Sequence, residues 1–373
     1  MTSTKVNFQE TLTIAQLRTL VPLIAKDLTV VIQSEPGCGK SSLLSMIAAD
    51  NGDKWRSPKD GTSISGDKYD YIYVDCPVKD MSDIGMTIPN HTTRQLEYYV
   101  SSLFNLDDPK PKYIMLDELL KAPKLLQVIF TRMMLEKMAG DRALPEGSGI
   151  IATSNNSSDG VGDSMLAHAG NRVCLIRMAK PTPMEWLAWA TENHISRPIR
   201  AAVAMFPRFL ASYTQGDQDD NPYIFKPSST SLSFVSPRSL AKADVIVKHR
   251  DALGDHTTMT ALAGTIGIAA AKDLAAFLSL ERSLPDFADI LKRPDEIKVP
   301  DSISAQLMLM FQAVDVLDSQ DDLTDFMKFV ERIPSEEVQS VFFTMLIRSQ
   351  RTIKLARKNS AISVWAQKNH ELF

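Results

Sequence analysis

Five short apolar runs mark the first half of the chain, at residues 28–33, 71–75, 113–117, 149–154 and 173–178. Between them lie stretches of helical period, such as Ile14 to Lys26, whose apolar positions fall on one face, and Ser42 to Ala49. Strands alternating with helices predict an α/β fold with five parallel strands in a doubly wound sheet. In such a sheet, ligands bind beyond the carboxyl ends of the strands. Asp50 to Asp67 is polar and rich in Gly, Lys, Ser and Asp, which predicts a loop. After Pro181 and Pro183 the pattern becomes helical and stays so, interrupted by a Ser-, Asp-, Pro- and Thr-rich segment at 214–233 that predicts a flexible loop. Met259 to Ala271 is the most apolar stretch. It is well short of the ~18 residues that span a bilayer, so it predicts one buried helix, packed closely through Ala261, Ala263, Gly264 and Gly267. Further on, 284–287, Pro294 and 299–300 read as connectors between helices. The basic residues Arg348, Arg351, Lys354, Arg357 and Lys358 read as one side of a final helix, a solvated face first and a docking face second.

The chain ends of three of these runs carry the chemistry. The first opens into Ser34-Glu35-Pro36-Gly37-Cys38-Gly39-Lys40-Ser41, followed at Ser42 by a helix. Glycines at 37 and 39 let backbone N–H groups turn inward, Lys40 has the reach for β- and γ-phosphates, and the Ser41 hydroxyl can ligate Mg²⁺. The phosphates then meet the positive end of the helix dipole. The pattern predicts a nucleoside triphosphate held by Glu35, Pro36, Gly37, Cys38, Gly39, Lys40, Ser41 and Ser42. The usual first glycine is Ser34 here, which is tolerable where Ser34 keeps a negative φ.

The third run ends in Asp117-Glu118, which reads as a Walker B strand. Asp117 would hold the magnesium and Glu118 would polarise the attacking water. A pair of acids capping the next helix is the other reading. The fourth run ends in Asn155-Asn156; Asn155 is the candidate amide that contacts the attacking water or the γ-phosphate, and Asn156 the turn residue. Arg172, ahead of the fifth run, stands where an arginine can reach a neighbouring subunit's γ-phosphate, with Arg177 as the second candidate. For either, a surface salt bridge is the alternative.

Together these residues resemble an AAA+ ATPase, and within that class the MoxR-like group. The resemblance rests on Glu-Pro-Gly-Cys-Gly-Lys-Ser at 35–41, Leu-Asp-Glu-Leu-Leu-Lys-Ala-Pro at 116–123, Leu-Pro-Glu-Gly at 144–147, Ile-Ala-Thr-Ser-Asn at 151–155 and Asn-Arg at 171–172. Glu185-Trp186-Leu187-Ala188-Trp189-Ala190 and Ser236-Pro237-Arg238-Ser239 are similar to a phage and bacterial branch of that group. The resemblance implies the strand order 5-1-4-3-2 and a helical lid in which Arg238 acts as sensor 2. It also implies a segment near a ring's central pore at 80–89, and a hairpin before the sensor strand at 139–147. For 80–89 the plainer reading is a short helix ended by Gly85 and Pro89.

The implied domains are residues 1–180 as nucleotide-binding core, 181–254 as lid and 255–373 as a helical C-terminal domain. The implied cofactors are ATP and Mg²⁺. The implied activity is ATP hydrolysis by a homo-oligomer, a hexameric ring, that remodels a protein client. A protein carrying a von Willebrand factor A domain is the implied partner.

Composition narrows this little. At 373 residues the chain has room for two to three domains, and its net charge of −4 disfavours a polyanionic partner. A motor or loader acting on nucleic acid, and a nucleotide-gated switch with slow hydrolysis, therefore stand as alternatives. Cys38, Cys76 and Cys174 have neither paired nor metal-like spacing, which suits a reducing cytosol, with Cys38 a candidate for oxidation. The start, Met1 to Lys5, is polar and unlike a signal peptide, so a cytoplasmic location without membrane contact is expected. Trp186 and Trp189 share a helix face and read as core rather than a stacking platform.

Overall fold

The computed structural model describes residues 11–53, 64–156, 171–229 and 231–368. The Met165–Gly170 stretch ahead of Arg172 and most of the polar loop before residue 64 lie outside the described residues. The chain divides into two compact units, Met1–Lys180 and Pro181–Phe373.

In the first unit the strands are β1 (Thr11–Leu12), β2 (Val30–Ser34), β3 (Ile64–Ser65), β4 (Asp70–Asp75), β5 (Gly85–Asn90), β6 (Gln95–Val100), β7 (Lys112–Asp117), β8 (Met138–Ala139), β9 (Arg142–Ala143), β10 (Gly149–Asn155) and β11 (Cys174–Met178). Among the described residues the α-helices are α1 (Ile14–Ile24), α2 (Ser42–Asp50), α3 (Met81–Ile84) and α4 (Lys124–Glu136). The main sheet runs β1-β11-β2-β10-β7-β4-β3. Its strands pair in parallel except for β3, which is antiparallel to β4. Numbered as the sequence reading numbers them, the five long strands lie in the order 5-1-4-3-2.

Alternation along each strand supplies two cores. Val31, Ile72, Ile114 and Ile150 face one side, against Leu126, Phe130 and Met133 of α4. Val30, Ile32, Met115 and Ile151 face the other, against Leu17 and Val21 of α1 and Leu43, Leu44 and Ile47 of α2. Burial on both faces makes these strands continuous apolar runs. The two short edge strands give no such signal and extend the sheet beyond the five expected.

The segment at 80–89 is more than a helix stop. Asp80 caps α3 through a reciprocal capping box with Asp83, and Gly85 opens β5, which pairs antiparallel with β6 over six residues. Met86, Ile88, Leu96 and Tyr99 are exposed on this hairpin. β8 and β9 form the second hairpin, ahead of β10, where residues 139–147 were read.

α4 ends on Lys137, in the left-handed region at φ 54°, and its Nζ donates to the Ala25 carbonyl at 3.0 Å. Burial pulls this amine down from its ordinary 10.5 to about 8. Between these values the unfolded chain binds the extra proton, so stability rises with pH across that window and the penalty is full below it. The melting temperature of the wild type relative to a Lys137→Met variant is therefore expected to climb from pH 8 to 10.5. A difference that stays flat over that range contradicts it.

The second unit holds α5 (Pro183–Glu192), α6 (Arg197–Met205), α7 (Pro237–Lys248), α8 (Arg250–Ile266), α9 (Ile268–Leu280), α10 (Phe287–Lys292), α11 (Ile303–Val316), α12 (Gln320–Glu331), α13 (Glu336–Arg348), α14 (Ile353–Lys358) and α15 (Ser360–Lys368). One apolar core runs through it from Trp186 to Trp365, so the helices on either side of residue 254 share it. Trp186 is buried in that core, while Trp189 sits at its rim, 39% exposed, with the rings 6.2 Å apart.

Two expectations need correction. Met259 to Ala271 is not one helix: Gly267, at φ 86°, ends α8, and α9 starts at Ile268. A side chain at Gly267 would also meet the Ser233 carbonyl at 3.1 Å. Nor do the basic residues of the tail share one helix, since Arg348 ends α13, Arg351 lies in a turn and Lys354, Arg357 and Lys358 belong to α14. The Ser- and Asp-rich segment at 214–233 is irregular but tied down. Asn221 is fully buried there and donates to the Arg208 carbonyl at 3.0 Å.

Arg200 is buried within this core, doubly hydrogen-bonded to Asp315, with Nη1 3.0 Å from Oδ1. Its guanidinium also lies over Phe311, 5.0 Å from the ring centroid. Removing the carboxylate strands a buried cation, and breaking such a pair costs about 3 kcal/mol. Asp315→Ala is expected to lower unfolding stability by about that much in urea titrations, with Arg200→Met/Asp315→Ala recovering part of it. A change below ~1 kcal/mol in the single variant would show the pair to be dispensable.

Candidate functional site

The carboxyl ends of β2, β10, β7 and β4 bring the motifs together, as register dictates: Asn155 pairs with Ser34, and Asp75 with Asp117. Ser34 is the last residue of β2 and therefore extended, so the missing glycine causes no strain. After it the loop turns with Gly37 at φ 76° and Gly39 at φ 96°, a region that residues with a Cβ enter only at a cost. Lys40 is buried under this loop. Its Nζ donates to the Ser34 carbonyl (3.1 Å) and hydroxyl (3.1 Å), the Glu35 carbonyl (3.2 Å) and Oδ1 of Asn155 (3.1 Å). The candidate amide of the fourth strand thus touches the lysine of the phosphate loop.

Ser41 stands at the N-cap of α2 but leaves the cap unbonded, because its hydroxyl donates instead to Asp117 Oδ2 at 2.8 Å. Tyr73 donates to the same oxygen at 2.6 Å, and Thr153 donates to Oδ1. Asp117 is itself nearly buried. A hydroxyl and a carboxylate in contact form an all-oxygen donor set, which suits a hard cation such as Mg²⁺. Ser41 and Asp117 are the residues that would hold it.

Glu118 occupies the left-handed region at φ 52°, ψ 38°, which costs a non-glycine residue roughly 1–2 kcal/mol. Its N–H donates to Thr153 Oγ1 at 3.1 Å, and its carboxylate pairs with Lys121 at 2.7 Å. The reading of the acid pair as a helix cap fails for Glu118. Its side chain makes no cap bond to the 3₁₀ turn that follows, and α4 begins only at Lys124.

Sequence reading missed Tyr73, Thr153, Asp75 and Lys180. Asp75 lies beside Asp117 across the sheet, and burial, then Asp117 and Glu118, raise its carboxyl above the usual range. Lys180 is buried 3.7 Å from Glu35, the second residue of the phosphate loop; burial lowers its amine while Glu35 opposes the shift. Period-two alternation could have flagged Tyr73 and Thr153 as facing the same way as Asp75 and Asn155 along their strands. Nothing in the linear pattern joins Lys180 to Glu35.

Cys38 is a correction to its candidacy for oxidation. It is buried, and burial together with Glu35 pushes its thiol up to about 11, so the reactive thiolate is scarce at neutral pH.

Arg172 and Arg177 are exposed, before and within β11. Arg238 is exposed in the first turn of α7, after Ser236, which caps the helix in a box with Ser239, and Pro237 at the first helical position. Among the described residues no helix is long and apolar enough to cross a membrane.

No known protein-family model matches the sequence, and no curated protein matches it. Among solved structures, the chain is similar to a candidate ATPase from Cytophaga hutchinsonii, at 14% identity and a TM-score of 0.31, over 77% of this chain and 90% of that one. It is similar to the Thermotoga maritima RuvB Holliday junction branch migration motor at 14% identity and a TM-score of 0.35, over 76% of this chain and 75% of the other. For C. elegans PCH-2 the values are 12% and 0.28, over 80% and 66%. Likenesses of this size carry no statement about activity, which rests on the residues of the chain itself.

Proposed function

We propose that the chain is an AAA+ ATPase of the MoxR-like kind, which binds ATP with Mg²⁺ at residues 35–42 and hydrolyses it. The observation that carries this reading is the contact of Ser41 with Asp117, with Lys40 fixed beside Asn155 at the same strand ends. A phosphate loop alone is a common pattern, whereas a loop whose hydroxyl meets the carboxylate of a separate strand supports a site for Mg²⁺ beside the phosphates.

The backbone N–H groups between Glu35 and Ser42 would cradle the phosphates, with Lys40 neutralising the β- and γ-oxygens. Bound Mg²⁺ would supply further charge neutralisation. Glu118 would orient the attacking water and draw its proton as the γ-phosphorus–oxygen bond to ADP breaks, while Asn155 steadies the water or the γ-phosphate. Arg238, on the lid formed by residues 181–254, would respond to the γ-phosphate.

Arg172 makes chemical sense only from a neighbouring subunit, so the working form is a homo-oligomer, a hexameric ring, with residues 255–373 as its helical C-terminal domain. Hydrolysis would then remodel a protein client, with a von Willebrand factor A domain protein as partner, in the cytoplasm. These last points follow from the motif resemblance.

Mixing two inactive variants tests the shared site. Arg172→Ala keeps a complete pocket without a finger to give, and Glu118→Gln keeps a finger beside a dead pocket. Each alone should lose at least ~100-fold in turnover, and a mixture should regain measurable activity wherever Glu118→Gln lends its arginine. Full activity in Arg172→Ala, or no recovery on mixing, rejects the shared site.

A further inference from the structure

A cleft lies wholly within the helical unit. Between α8 and α9 a cleft of about 350 Å³ is lined by Arg250, Asp251, Asp255, Thr258, Met259 and, from α9 onward, Ala275, Leu278, Ser279 and Arg282. That volume falls in the range of small-molecule sites. The kink at Gly254 (φ 73°, ψ 166°) restarts α8 at Asp255, so a helix N-terminus opens at the rim.

The independent sign of a ligand is Thr258. It is 3% exposed, and its hydroxyl has no hydrogen-bond partner among the described residues. On the same helix Thr260 and Thr265 satisfy theirs with the carbonyls four residues back, at 2.9 and 2.8 Å. A buried hydroxyl left unpaired is destabilising, and one that lines a cavity is satisfied by whatever polar group enters.

The charges around the cleft say what enters. Arg250 pairs with Glu281 at 2.5 Å, and Arg282 reaches Asp251 at 3.6 Å, a loose and exposed contact. Two guanidinium groups and the carboxylates of Asp251 and Asp255 therefore share the lining with the apolar Met259, Ala275 and Leu278. A lining with charges of both signs and apolar side chains among them matches a ligand that carries both charges and an apolar body. A simple anion would leave Asp251 and Asp255 facing it, and a simple cation would face the arginines.

We propose that this cleft binds a small zwitterion with an apolar side chain, a free amino acid or a short peptide. Its carboxylate would lie between Arg250 and Arg282 and accept from Thr258, its ammonium would face Asp251 or Asp255, and its side chain would cover Leu278. The proposal does not depend on the ATPase reading.

Calorimetry on the full chain tests it, with L-leucine and the dipeptide Leu-Leu as ligands and N-acetyl-leucinamide, which has neither charge, as control. Saturable binding of leucine or the dipeptide is expected, the better of the two identifying a free amino acid or a chain end. Arg282→Gln and Thr258→Val should each weaken it about tenfold. Neither change should disturb folding, because Arg282 is 78% exposed and the Thr258 hydroxyl has no partner to lose. Absence of binding by both zwitterions, equal binding of N-acetyl-leucinamide, or unchanged affinity in both variants overturns the proposal.

Discussion

Lys40→Ala is expected to weaken Mg·ATP binding by at least ~100-fold and to bring hydrolysis to background. The estimate follows from the number of bonds lost: a hydrogen bond to a charged group contributes roughly 1.5–3 kcal/mol, and Lys40 is placed to give two to the phosphates. The same Nζ is engaged by the Ser34 and Glu35 carbonyls and by Asn155. It is therefore already held at the phosphate end of the loop, and little ordering cost opposes binding. Removing it leaves those acceptors facing an empty space, so the variant is also expected to melt lower, and circular dichroism must show it folded before affinity is compared. Calorimetric titration of the folded variant with Mg·ATP decides the point. Affinity within about threefold of the wild type would mean that phosphates are not gripped here, whatever the loop resembles.

The legible parts of this molecule are those in which one physical constraint acts along the chain. Strands covered on both faces are apolar through their middles, and β2, with all five residues buried and Val30 to Ile32 apolar, and β7, with all six buried and Tyr113 to Leu116 apolar, stand out accordingly. The phosphate loop is legible for a different reason: positive φ at 37 and 39 requires glycine, and the chemistry requires lysine and serine next. What escaped reading depends on pairing. β1 and β3 are two residues long and are defined only by their partners, β11 and β4.

The hairpin of β5 and β6 escaped for the opposite reason. Most of its residues are exposed, so no burial pattern marks it, and Gly85 and Pro89 look like stops although both are paired within it. Gly267 was read as a residue for close packing when its backbone angle makes it a break between helices. In the site, Thr153 and Tyr73 are ordinary strand residues until register sets them against Asp117. Lys180 and Glu35 illustrate the limit most plainly, since two oppositely charged residues far apart in sequence are buried together only because β11 lies beside β2.

Glu118→Gln should separate binding from chemistry. Glutamine matches glutamate in size, keeps a hydrogen-bonding oxygen and leaves the backbone free to hold its N–H on Thr153, so the loop and the magnesium residues stay in place. What disappears is the negative charge and the capacity to take a proton from water, contributions worth about 10²–10⁴-fold in rate. Turnover is accordingly expected to fall by about 10³-fold while ATP affinity stays within severalfold of the wild type.

The ion pair with Lys121 goes as well, but both partners are about one-third exposed, and such pairs add at most about 1 kcal/mol to stability. The melting temperature should therefore barely move, which separates this variant from one that is merely misfolded. The left-handed backbone at Glu118 sharpens the expectation: a conformation that disfavours side chains is kept at the residue that must face the water, and nowhere else in the turn that follows. Single-turnover hydrolysis of prebound ATP reads the chemical step directly. A rate within threefold of the wild type would remove Glu118 from the reaction and direct attention to Asp75, which lies beside Asp117 at the same strand ends.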